Sequence, residues 1–157
     1  MGILAIVSFV KLGPLREDQN LKSAANELQS LIRTAQTNAT IRVKCGNDFG
    51  ATWLVEFASN TTFHLKCYTD PTTITSVKTL IFDNQIVVSS YSPTYCSPGS
   101  YRVKFAPLYG TVIFSCFTGT SDTESVTTSS LQVFLSRSGG SDTKSIVISK
   151  GGTVEIR

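Results

Sequence analysis

The feature that most constrains this chain is a change of period. Between Leu15 and Asn38 the apolar residues Leu21, Ala24, Ala25, Leu28, Leu31, Ile32 and Ala35 recur at steps of three and four. That spacing gathers them into one stripe on an α-helix. Lys22, Asn26, Gln29, Arg33 and Gln36 fall on the opposite side, and the many Ala and Leu residues favour helix intrinsically. Downstream the apolar residues alternate one by one, the pattern of half-buried strands. The expectation is an α+β chain: a long N-terminal amphipathic helix packed on an antiparallel β-sheet head. Residues 1–38 would form the helical part and residues 39–157 the head. The stripe covers only about two heptads, so packing on the sheet is preferred to a coiled coil.

Strands are expected at Thr40–Cys45, Thr52–Ala58, Thr62–Tyr68, Gln85–Ser90, Tyr101–Phe105, Thr111–Phe117, Leu131–Ser136, Lys144–Ser149 and Thr153–Arg157. Turn residues such as Gly46-Asn47-Asp48, Ser59-Asn60, Asp83-Asn84, Pro98-Gly99, Gly139-Gly140 and Gly151-Gly152 separate them. The last two strands read as a terminal hairpin. Thr69–Val77 and Thr118–Thr128 are polar and read as loops.

The length of 157 residues suits one domain with a real core. The charged fraction, 16%, is below the roughly 25% usual for soluble domains, and Thr and Ser fill the gap as they do in many secreted β proteins. A net charge of +3 permits contact with phosphate or anionic lipid without arguing for either. The four cysteines, Cys45, Cys67, Cys96 and Cys116, lie in the β part without C-x-x-C spacing, and His64 is the only histidine. A zinc site is therefore disfavoured, and two disulfides in an oxidising compartment are expected. Three pairings are open. Cys45–Cys67 with Cys96–Cys116 is favoured, because Ile41-Val43-Cys45 and Phe63-Leu65-Cys67 each continue an apolar alternation that would aim both sulfurs at the core. Four reduced, buried thiols are the alternative.

Ahead of the amphipathic stretch, Ile3–Val10 is apolar except for Ser8 and stops at Lys11. That is short of the roughly 20 residues that span a bilayer, and it lacks the basic start and small-residue cleavage site of a signal peptide. Either it is a buried first turn, or it is the end of a longer hydrophobic helix; the lack of polar partners across Gly2–Val10 favours the second. This tip is assigned to residues 2–13 and the amphipathic half to residues 15–38, with Pro14 expected to kink or interrupt the helix between them.

No catalytic constellation emerges, and neither a cofactor nor a metal is expected. His64 sits mid-strand between Phe63 and Leu65, projecting away from the apolar face. The acidic residues Glu56, Asp70, Asp83, Asp122, Glu124, Asp142 and Glu155 are scattered singly, and no glycine-rich loop joins a strand to a helix. Arg42 and Lys44 would share one outward strand face and His64 and Lys66 another, with Arg102 and Lys104 extending a small cationic patch. Such a patch would grip nucleic acid through its phosphates; an ordinary solvated sheet face is the preferred alternative. No aromatic platform is interleaved with these charges.

Several segments together resemble the minor pseudopilins and minor pilins of the GspH/FimT type, within the type IV pilin-like proteins. GILAIVSFV is similar to the second half of their hydrophobic helix, and LREDQNLKSAANELQSLIRTAQTNA to its amphipathic half. TWLVEF is similar to their GW-V-F strand, VKFAPLYGTV to their F-x-P-x-x-G turn, and KSIVISKGGTVEIR to their closing hairpin. The resemblance implies a structural subunit of a type II secretion pseudopilus or a type IV pilus. It would be anchored in the inner membrane before assembly, and it would meet other pilin-like subunits through its N-terminal helix. The location would be the cell envelope, outside the cytoplasm. Some members bind DNA during uptake, which is the alternative function. The leader, the Gly-Phe processing site and the nearby glutamate of that family have no counterpart here, and the closing hairpin is less basic than in DNA-binding members. No enzymatic activity is implied.

Overall fold

The computed structural model describes residues 12–68, 73–83, 85–96, 99–124 and 128–157. One helix, α1 (Leu12–Thr40), precedes ten strands: β1 (Trp53–Phe57), β2 (Thr62–Tyr68), β3 (Ile74–Ile81), β4 (Ile86–Ser92), β5 (Ser100–Phe105), β6 (Val112–Phe117), β7 (Asp122–Glu124), β8 (Ser130–Arg137), β9 (Thr143–Ser149) and β10 (Val154–Ile156). They form two antiparallel sheets, in the orders β3-β2-β1-β5-β6-β7 and β10-β9-β8-β4. The expected α+β arrangement of a long helix on a sheet head is therefore corrected: among the described residues one helix stands against ten strands in two antiparallel sheets, and the fold is mostly sheet.

Alternation explains the core. On the larger sheet Val55, Phe57, Phe63, Leu65, Val103, Phe105 and Phe114 point inward; on the smaller sheet Val88, Leu131, Val133, Leu135, Ile146 and Ile148 do the same. All join a single hydrophobic cluster. Aromatic rings link the two sheets: Phe57 meets Tyr91 edge-on at 5.8 Å, and Tyr91 stacks on Tyr101 at 4.1 Å. Edge-on and offset geometries set the ring quadrupoles favourably.

The helix contributes the third wall of this core. Leu21, Ala24, Leu28, Leu31, Ile32 and Ala35, the residues assigned to helix–sheet packing, are all buried, as are Ala25 and Ala39. Small alanines let the helix axis approach the strands, while Leu28 and Ile32 fill the space between. The polar side also makes contacts within the fold. Gln29 Nε2 and Arg33 donate to the Val154 carbonyl at 2.9 and 3.1 Å, and Gln36 Nε2 donates to the Gly152 carbonyl at 2.9 Å. These bonds cover carbonyls of the β9–β10 hairpin at an edge of the smaller sheet, which would otherwise invite a further strand.

Three local expectations change. Pro14 lies inside α1 without interrupting it; its missing N–H would have bonded four residues back, before the described helix. Thr40–Cys45 is not a strand. Val43 N–H bonds to the Asn38 carbonyl and Arg42 N–H to the Ala39 carbonyl, with Arg42 at φ 58°. That is a helix-ending turn whose left-handed position is usually a glycine, so its sequence signal is missing. Conversely, β3 and β7 occupy parts of the stretches expected as loops. The apolar tip up to residue 11, Asp70, Asn84 and Pro98 lie outside the described residues.

Both favoured disulfides are present: Cys45–Cys67 with Cα atoms 6.1 Å apart, and Cys96–Cys116 with Cα atoms 5.2 Å apart. The first ties the loop after α1 to β2, and the second ties the approach to β5 onto β6. Gly99 is wedged against the second. A Cβ there would lie 2.8 Å from both sulfurs and 2.9 Å from the Phe117 carbonyl oxygen. Gly99→Ala should thus lower the stability of the oxidised protein by about 1–3 kcal/mol, the range for overpacking. Urea unfolding of the two proteins checks it; an unchanged midpoint would contradict this packing.

Candidate functional site

The outward face of the larger sheet carries most of the charged residues singled out in the sequence. Antiparallel register sets Glu56 of β1 between His64 of β2 and Arg102 of β5, and Leu54 between Lys66 and Lys104. Arg102 in turn faces Ser115 of β6, which faces Glu124 of β7. Residues far apart in the chain therefore form one transverse row across five strands.

These charges pair with each other. Lys66 Nζ lies 2.7 Å from Glu56, and the Arg102 guanidinium binds the other oxygen of the same carboxylate. Arg102 also reaches Asp122 at 3.3 Å, Lys104 lies 2.8 Å from Asp122, and Glu124 stands 3.7 Å from Lys104. Tyr68 donates its hydroxyl to Asp122 at 3.2 Å. The Arg102 guanidinium additionally lies 3.5 Å over the Phe117 ring, a cation–π contact that suits a delocalised, weakly hydrated cation. Glu56, Arg102, Lys104 and Ser115 are buried although they are on an outer face, and Leu54 is fully covered. The stems of Lys66 and Lys104, which flank Leu54 in register, account for that cover.

The expected cationic patch is accordingly corrected. Lys66, Arg102 and Lys104 converge, but three carboxylates converge with them, so the face is close to neutral. Arg42 and Lys44 are not on it. They belong to the turn after α1, where Lys44 Nζ sits 5.1 Å from the Phe49 ring. His64 does project from the outer face, with Nδ1 3.0 Å from the Thr79 hydroxyl. The partners Glu56, Asp122 and Glu124 were visible in the sequence only as single acids; β7, the short polar strand that delivers two of them, has no apolar alternation to announce it.

Chemically, the arrangement keeps Glu56 and Asp122 ionised. Burial alone would raise the pKa of Glu56, but hydrogen bonds and charge from Lys66 and Arg102 bring it below its ordinary value. Burial opposes ionisation of Asp122 too, and the Lys104 hydrogen bond with the Lys104 and Arg102 charges brings it below its own ordinary value. A general acid would need the opposite shift. The network braces five strands.

No protein-family model, no curated protein and no solved structure matches this chain.

Because both carboxylates have depressed folded-state values, their contribution is present at neutral pH and disappears as pH falls below their ordinary values of 4.5 and 3.8. Glu56→Gln should cost about 3 kcal/mol at pH 7, since it leaves Arg102 buried with one ionic partner fewer. It should also flatten the loss of stability between pH 5 and pH 3. Urea unfolding across that range measures both; an acid limb as steep as in the parent would overturn the assignment.

Proposed function

We propose that the chain is a structural subunit of a pilin-type filament, a minor pseudopilin of a type II secretion pseudopilus or a minor pilin of a type IV pilus. The observation that carries this is the division of the helix. The stripe from Leu21 to Ala39 is seated in the head, while α1 begins at Leu12, nine residues before Leu21. From there the chain leads back into the apolar run Ile3–Val10. A helix held by its C-terminal half and continued by apolar sequence suits a handle that meets equivalent handles of other subunits. No helix among the described residues is long and apolar enough to cross a membrane, so in this reading the apolar run is the part that contacts lipid before assembly.

Further support comes from where the quoted segments fall. TWLVEF ends in β1, VKFAPLYGTV spans the β5–β6 turn, and KSIVISKGGTVEIR forms the β9–β10 hairpin. Two disulfides suit an oxidising site in the cell envelope. The reading assigns no catalytic role and no cofactor. With Lys66, Arg102 and Lys104 engaged by acids, the sheet face gives little support to DNA as ligand.

The test is a photo-cross-linking residue at Val7 of the full chain in its native cells, with captured partners identified by mass spectrometry. Pilin-like subunits should be recovered, and Ile6→Asp with Phe9→Asp should abolish their capture and drive the chain out of the detergent phase. Capture of no such subunit, or partitioning indifferent to those substitutions, would overturn the proposal.

A further inference from the structure

The large hydrophobic residues exposed among the described residues are Ile41, Phe49, Val77, Ile81, Leu108 and Tyr109. Val77 stands apart on β3, and the other five fall in two places. Ile41, Phe49, Leu108 and Tyr109 share the end of the molecule where α1 stops. There a Cβ on Gly110 would stand 3.3 Å from the Thr40 hydroxyl oxygen, and one on Gly50 would stand 4.0 Å from Pro107. The tip of this knob is strained. Tyr109 N–H bonds back to the Pro107 carbonyl at 3.0 Å around Leu108, whose φ is 76°. A γ-turn of this hand is rare, and leucine rarely occupies it. The strain presents Leu108 and Tyr109 to solvent, Tyr109 at 88% exposure. Sites that hold such strain without a packing reward are candidates for function.

The second place lies beside the N-terminal half of α1. A groove of about 290 Å³ runs between the helix and the β3–β4 connection, with Leu21, Ala24, Phe82 and Ile86 in its wall and Glu27 and Asp83 among its charged residues. Ile81, itself 67% exposed, stands on its rim. The volume is at the small end for ligand pockets, about 300–1,000 Å³, and suits one or two inserted side chains. Charge differs between the two places. The knob carries Arg42 and Lys44 against Asp48; the groove's charged residues are Glu27 and Asp83 against Arg137. From Leu21 to Ile41 the helix rises about 30 Å, so the two surfaces lie at opposite ends.

We propose that the knob of one copy of this chain docks into the groove of a second copy, with Leu108 and Tyr109 entering the groove and the opposite charges setting the approach. The contact is heterologous: each copy uses its knob toward one neighbour and its groove toward another, so the interaction propagates rather than closes. Its biological use rests on the filament reading above, but the contact itself does not involve residues 1–11.

Full-length protein carrying Ile6→Asp, to silence the leading segment, isolates the contact in sedimentation velocity. This parent should self-associate with rising concentration, and less so at high salt. Leu108→Asp with Tyr109→Asp blocks the knob, and Ser23→Trp, at an exposed position on the groove wall, blocks the groove. Each should weaken association at least tenfold, and mixing the two should give a one-to-one pair through the remaining knob and groove. Near-UV circular dichroism and intact disulfides verify both folds. A parent that stays monomeric, blocked variants that associate as the parent does, or a mixture that forms no pair would each overturn the proposal. Since the cross-linking experiment at Val7 reads the leading segment alone, either proposal can fail while the other stands.

Discussion

The helix is where the structure is tied together. Its apolar stripe closes the core formed by the two sheets, and its polar side binds the last hairpin. Leu28, Ile32 and Ala35 are fully covered on one side, while Gln29, Arg33 and Gln36 on the other hold carbonyls more than a hundred residues away in the chain. Without the helix, the sheets would expose their shared apolar wall and the smaller sheet an open edge. Removing a leucine from that stripe would leave a cavity as well as lost burial, since the rigid strands around it relax only partly. The same dependence explains the disulfides. Cys45–Cys67 fastens the segment leaving the helix to β2, and Cys96–Cys116 fastens the entry of β5 to β6. Both shorten the loops the unfolded chain can explore, an effect of about 3 kcal/mol each for closed loops of this size.

What the sequence made legible follows from burial. β2, β5, β8 and β9 turn their large apolar side chains to one face and so carry clear alternation; their positions agree with the expected strands to within one residue at each end. The cysteine pairing could be inferred for the same reason, since Cys67 continues the inward face of Phe63 and Leu65. β3 could not be found this way. It is an edge strand paired only to β2, and between Thr75 and Thr79 every residue is exposed, so burial imposes no pattern on it. The false strand at Thr40–Cys45 has a different cause: its apolar alternation is real, but Arg42 adopts the left-handed conformation that ends the helix. Nor can alternation count sheets, because a strand reads the same whichever sheet it joins. The α+β expectation failed at that point.

The charged row shows what pattern alone leaves out. Alternation correctly put Lys66, Arg102 and Lys104 on one outer face, yet a cation's meaning depends on its neighbour across the strand. Glu56 stands beside Arg102 through the β1–β5 register, and Asp122 arrives through the β6–β7 hairpin. Once paired, these groups create little field beyond the sheet, because opposite charges a few ångströms apart cancel at a distance. What remains on the larger sheet's outer surface is a brace rather than a landing site.

That cancellation gives the molecule a direction. With the sheet face neutral, the charges left to act over distance include Arg42 and Lys44 at the end where the helix stops, and Glu27 and Asp83 toward its N-terminal half. Because the two surfaces differ, a contact that sets the knob of one copy on the groove of the next, repeated from copy to copy, is heterologous. The strained turn at Leu108 and the groove beside Leu21 therefore belong to the same physical problem. Each leaves apolar surface in water, and the charges beside the two surfaces are of opposite sign.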